Sequence, residues 1–199
     1  MATAARIGGL AVGLLGWLAV VAAAGRSATD PAAEGEGGHA AAVNATAAGA
    51  ALDPGLMLAK LHQMNDDAIA LGTLAAEKGE AAAVREYGAR VVANHRAADA
   101  QVMHAARARG LDEQRLDALA ALGRSRDEAD WRRAGLARLE AAHGAAFDTA
   151  LADTAPELHR RDIAVARTIR TGTADPRVAN LAAQLLPTLE EQQRAAASL

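Results

Sequence analysis

Asp53–Gly79 reads DPGLMLAKLHQMNDDAIALGTLAAEKG, and it decides the fold. Aspartate followed by proline starts a helix. The carboxylate accepts from free N–H groups of the first turn, and proline lacks only a donor that would have had no partner there. Leu61, Met64, Ala68, Leu71 and Ala75 then recur at steps of three and four, one stripe of a 3.6-residue helix. Gly79 ends it. A second stripe follows at Val84, Tyr87, Val91, Ala98 and Val102 and stops at Gly110. The link between them is short, which predicts an antiparallel hairpin.

Reading onward, Gly110 to Gly123 encloses a short apolar pattern, LDEQRLDALAALG. Ser125 and Glu128 have capping-box spacing, each satisfying the other's backbone donor, at the head of a helix carrying Trp131, Leu136 and Leu139. Phe147, Leu151, Leu158, Val165 and Ile169 mark a long face interrupted by Pro156, where a kink or a restart at Thr154 is expected, Thr154 and Glu157 repeating the box. Asp175-Pro176 caps a last helix bearing Val178, Leu181, Leu185 and Leu189, which Pro187 should kink. No alternating run of β-branched residues competes. The expectation is an all-α domain over residues 52–199: a four-helix bundle with one or two short helices in its central connection.

Upstream, Arg6 precedes an apolar run, Ile7–Ala24, that ends in three alanines. A charged head, an apolar stretch and small residues at its end form a signal peptide, expected over residues 1–24. The run is near the lower length limit for a retained membrane anchor, the rival reading. Residues 25–51, rich in alanine and glycine without periodicity, read as a disordered linker. His39 within it has no local partner, and Asn44-Ala45-Thr46 is a short glycosylation-like match. The predicted location is the periplasm or the outer side of the inner membrane, with outer-membrane association as a further option.

The 199-residue chain has no cysteine. That removes a lipidated N-terminus, a thiol nucleophile, disulfides and thiolate metal sites together. The formal net charge of -3 gives a nucleic-acid partner no electrostatic support. Trp17, Trp131, Tyr87 and Phe147 are the only aromatic residues, so the core must be Leu, Val and Ala. There is no P-loop, no dinucleotide glycine pattern and no Gly-x-Ser-x-Gly elbow. Arginines at 107, 109, 132, 133, 160 and 161 are interspersed with acids, as on an ordinary solvated helix face, although an envelope protein or membrane surface is a conceivable partner.

Four stretches together resemble a known family: LHQMNDDAIALGTLAAEKG at 61–79, VREYGARVVANHRAAD at 84–99, GAAFDTALADTAPELHRRD at 144–162 and DPRVANLAAQLLPTLEEQQ at 175–193. In the order LG..A..K, final histidine of the second helix, G..FD.A and LPTL.E, they are similar to the bacterial domain-of-unknown-function family numbered 4142. Its members are often labelled outer-membrane proteins and considered ferritin-like. The resemblance covers residues 56–197 and implies an exported four-helix bundle without an assigned activity. His95, His159, Phe147-Asp148 and Pro187 match the family's recurrent residues. Ala68 stands where relatives commonly have glutamate, and Gln192 where they have histidine.

Ferritin-like bundles can hold two metals between facing helices. The candidate ligands here are His62 and Asp66, four apart on one face, then His95, then His159 and Asp162, three apart, and Glu191. Imidazole with carboxylate suits iron, manganese or zinc. The paired Glu-x-x-His spacing is missing; VVANH and LEEQQ stand in its place, and Glu140–His143 falls at a helix end. The leading expectation is therefore a protein without cofactor, acting by binding or as a structural element of the envelope. The alternative is a ferritin-like metal-binding protein or oxidoreductase, in which His62, His95 and His159 converge with Asp66, Asp162 or Glu191.

Overall fold

A computed structural model describes residues 52–199. The expected signal peptide and linker, His39 included, lie outside the described residues. Six helices follow in order: α1 (Pro54–Lys78), α2 (Ala82–Arg107), α3 (Glu113–Leu122), α4 (Arg126–Ala141), α5 (Ala145–Gly172) and α6 (Pro176–Ala196). The all-α class is as the sequence predicts, and α3 and α4 are the two shorter helices of the central connection. Among the described residues the β content is one isolated parallel bridge, Leu52 with Thr173.

The caps explain where the helices begin. Asp53 accepts from Leu56 N–H at 2.8 Å, Asp112 from Arg115 N–H at 2.8 Å, and Asp175 from Arg177 N–H at 2.9 Å. Ser125 accepts from Glu128 N–H at 3.2 Å. The predicted box is only half made, because the Glu128 carboxylate turns away to Lys60 and Arg132. At Thr154 the expected restart is absent. Its hydroxyl donates to the Ala150 carbonyl at 2.7 Å, so α5 runs on through Pro156. α6 likewise continues through Pro187.

Packing resolves the helices into two tight hairpins, α1 with α2 and α5 with α6. In the first hairpin the backbones nearly touch. A Cβ added at Gly88 would lie 2.5 Å from both the Gly72 carbonyl oxygen and the Ala76 nitrogen. Only a glycine at that crossing lets α1 and α2 approach so closely.

The hairpins meet over two apolar clusters, one around Met57, Leu61, Val102, Ile169 and Leu185, the other around Leu71, Tyr87, Val91, Phe147 and Leu151. Asp148 of α5 links the hairpins at one end. Its carboxylate accepts from the backbone N–H of Glu80 at 3.0 Å and of Ala81 at 2.9 Å, the free donors at the head of α2. α4 is attached differently. Leu139 is its one buried residue, Trp131 is only half-buried and Leu136 is exposed. Charge fastens it instead: Lys60 to Glu128 at 2.8 Å, and Arg132 to Asp67 at 3.0 Å and to Asp162 at 2.8 Å. The Lys78 ammonium donates to the Leu139 carbonyl at 3.1 Å, capping the helix's last turn.

Candidate metal centre

Two polar clusters interrupt the apolar packing. The first is internal. Asn65 of α1, His95 of α2, His159 and Asp162 of α5 and Gln192 of α6 are all buried. On each of these four helices the polar residue falls between the stretches that build the two apolar clusters. Buried polar groups must find partners within the protein. His95 Nδ1 lies 2.9 Å from the Asn65 side-chain amide and Nε2 2.9 Å from that of Gln192. Burial holds the His95 pKa below the usual histidine value, and the ring is neutral. A neutral imidazole has one N–H and one lone pair, so one amide presents its oxygen and the other its NH2. His159 Nε2 shares a 2.7 Å hydrogen bond with the Tyr87 hydroxyl. Its burial pushes its pKa down to about 4. The two imidazoles stack with centroids 6.4 Å apart. Asp162 accepts from Arg132 Nη2 at 2.8 Å.

The second cluster opens to solvent along the first hairpin. Positions 72 and 88, 65 and 95, and 62 and 99 face each other in turn, as antiparallel register requires. That register brings Asp99 of α2 to His62 of α1, Nδ1 to Oδ1 at 2.7 Å. Helical spacing brings Asp66 to the other ring nitrogen, Nε2 to Oδ2 at 3.4 Å. Asp117 of α3 stands 3.9 Å from the same Nε2. His62 is buried, Asp99 half-buried, and Asp66 and Asp117 exposed. The hydrogen bond to Asp99 raises the His62 pKa. Partial burial raises that of Asp66, with Asp99, Asp117 and Asp67 pushing the same way. His62, Asp66 and Asp99 each offer one ligand atom, all within 4.8 Å of one another.

The six residues predicted as ligands thus occupy separate places. His62 and Asp66 share the solvent-facing cluster. His95 and His159 are neighbours in the internal layer, each with a protein partner. Asp162 is claimed by Arg132, and Glu191 is exposed on α6. Asp99, Asp117, Asn65, Tyr87 and Arg132 were not among the predicted ligands. Asp99 had a usable signal, since it lies opposite His62 once the hairpin is drawn. Asp117 had none, because the placement of α3 does not follow from its short apolar pattern.

A cavity of about 260 Å³ lies between α1, α4 and α5, walled by Leu71, Trp131, Leu136, Leu139 and Leu158. The Arg132 side chain at its edge is already matched by Asp67, Glu128 and Asp162.

Comparison with known proteins adds one finding. Residues 39–199 match the family described as domain of unknown function (DUF4142), which covers most of the chain, and the chain belongs to that family. No curated protein and no solved structure matches it.

Proposed function

We propose that this chain is an exported helical protein of the bacterial envelope whose working part is a divalent-metal site at His62, Asp66 and Asp99. The observation that carries the proposal is the cluster itself: one imidazole and two carboxylates from two helices in fixed register, ligand atoms within 4.8 Å of one another. Imidazole with carboxylate suits zinc, iron or manganese better than a hard, all-oxygen cation. The activity assigned is binding rather than turnover.

We read the two hairpins as halves of a ferritin-like four-helix bundle. The support is the internal polar layer, to which all four long helices contribute a side chain. Ferritin-like metals sit in such an interior. Here both nitrogens of His95 are taken by amides, His159 Nε2 by a phenol and Asp162 Oδ1 by an arginine, which of these three residues leaves only His159 Nδ1 and Asp162 Oδ2 without a partner. The metal reading therefore rests on the hairpin's solvent-facing cluster instead. Export rests on residues 1–24 acting as a signal peptide, with 25–51 as the linker. Among the described residues no helix is long and apolar enough to cross a membrane.

Element analysis of protein purified without chelator tests the metal reading. Near-stoichiometric zinc, iron or manganese in the native protein, lost in His62→Ala, supports it. No metal, and no heat of zinc binding by calorimetry, refutes it. The mass of the mature N-terminus tests export: cleavage after Ala24 is expected, and retention of Met1 counts against it.

A purely structural role has its own support. Gly72 and Ala75 of the LG..A..K pattern line the hairpin crossing, Lys78 caps α4, and Asp148 of the FD pair caps α2. The same element analysis separates the two readings.

A further inference from the structure

We propose that the cation is held by His62 Nε2 together with Asp66 and Asp117, bridging α1 to α3, while Asp99 is a positioning residue behind the ring. This rests on the metal reading above and divides its residues differently. A carboxylate only accepts, so at 2.7 Å from Nδ1 the Asp99 oxygen fixes the ring proton there. In the neutral ring the lone pair is then on Nε2. That nitrogen is buried and has no hydrogen-bond partner, and the His62 side chain is only 4% exposed. It faces Asp66 Oδ2 at 3.4 Å and Asp117 Oδ1 at 3.9 Å. Ligands about 2.1 Å from a tetrahedral zinc are about 3.4 Å apart. The first separation already matches; the second is longer, Asp117 lies outside the set whose ligand atoms are all within 4.8 Å, and its side chain, 67% exposed, must swing inward to bind. A carboxylate on the far ring nitrogen is the arrangement that orients metal-binding histidines and raises their basicity.

Charge points the same way. Three carboxylates, Asp66, Asp99 and Asp117, stand around the one His62 ring. A divalent ion would relieve that excess. It would also add a fastening to α3, which buries only Leu116 and Ala120. The nitrogen ligand and the two carboxylates favour zinc over magnesium or calcium.

The test is zinc titration of the full-length protein by calorimetry, with amide hydrogen exchange read over residues 113–122. Native protein should bind one zinc and slow exchange in α3. His62→Ala should lose binding by at least about 100-fold. Asp66→Asn and Asp117→Asn should each weaken it by about 10-fold or more, and Asp117→Asn should also lose the slowing in α3. Asp99→Asn should weaken binding by about 10–100-fold, the usual effect of removing an outer carboxylate, yet keep one zinc per chain and the slowing in α3. The titratable groups around His62 are Asp66 on α1, Asp99 on α2 and Asp117 on α3. Removing the Asp99 charge should move the pH midpoint of zinc binding lower, because protons then compete less well for the ring, and Asp99→Glu should restore it. Zinc binding unchanged in Asp117→Asn but abolished in Asp99→Asn would overturn the division of roles while leaving the metal reading intact. No binding by the native protein would overturn both.

Discussion

Gly88→Ala should destabilise the protein by about 2 kcal/mol. The new methyl carbon would lie 2.5 Å from the Gly72 carbonyl oxygen and the Ala76 nitrogen, and 2.8 Å from the Ala75 Cβ. Ordinary contact between heavy atoms begins near about 3.5 Å, so α1 and α2 must part by about 1 Å. The opposing atoms belong mostly to backbone, so no rotamer change relieves the contact. Overpacking of this kind costs about 1–3 kcal/mol, sometimes more, and the rigid opposing backbone puts this site at the upper end. Alanine recovers about 1 kcal/mol of helix propensity over glycine. The difference leaves about 2 kcal/mol, or a drop in Tm of about 4–8 °C for a domain of this size. Urea unfolding followed by circular dichroism measures it. Gly135→Ala on α4 is the control, since a Cβ there meets only the Thr154 Cγ2, at 3.3 Å. It should be neutral or stabilising by up to about 1 kcal/mol. Equal urea midpoints for the two variants would refute the claim that the hairpin crossing is closed by backbone contact.

Three further outcomes are expected. The His159 pKa is lowered to about 4 from 6.5, so the unfolded chain takes up a proton that the folded one refuses. Stability is fully present above pH 6.5 and falls as pH drops toward 4, by about 3 kcal/mol in all; urea midpoints against pH should be flatter in His159→Gln, and parallel curves would refute this. Arg132→Leu removes the cation shared by Asp67, Glu128 and the buried Asp162, and only Glu128 keeps another, Lys60; it should cost about 3–5 kcal/mol at neutral pH, and a cost below about 1 kcal/mol in the same titration would show the cluster does not need its cation. Asp148→Ala removes the acceptor for two free donors at the head of α2 and should lower stability by about 1–2 kcal/mol, with faster hydrogen exchange at Glu80 and Ala81; unchanged exchange there would argue against the cap.

Helices were legible because local rules dictate them. Asp53-Pro54 and Asp175-Pro176 start helices where the sequence says, and Met64, Leu71, Val91, Phe147 and Leu189 are buried as their spacing requires. No restart occurs at Thr154, since one missing donor weighs less than the packing on both sides of Pro156, and the Thr154 hydroxyl bonds back along the same helix. The packing of α4 was not legible. Periodicity marks apolar faces, and this helix is seated by Arg132 and Glu128, whose partners are remote in sequence. The histidines illustrate a second limit. The structure buries both His95 and His159, but which neighbour satisfies each ring depends on helix pairing. The outer cluster was half visible: His62 and Asp66 follow from helix geometry, whereas Asp99 needs the hairpin register and Asp117 the position of α3.

The mode of attachment of α4 gives the protein two separate gauges. The hairpins are joined by apolar area, which heat and urea dissolve. α4 is joined by ion pairs around Arg132 and Lys60 and by the cationic stacking of Arg161 on Trp131 at 4.2 Å. Those links respond to protons. Burial raises the pKa of Asp67, so acidification removes its charge sooner than that of a free carboxylate. Mild acid should therefore loosen this helix, and Trp131, the one tryptophan among the described residues, would report the event by its fluorescence.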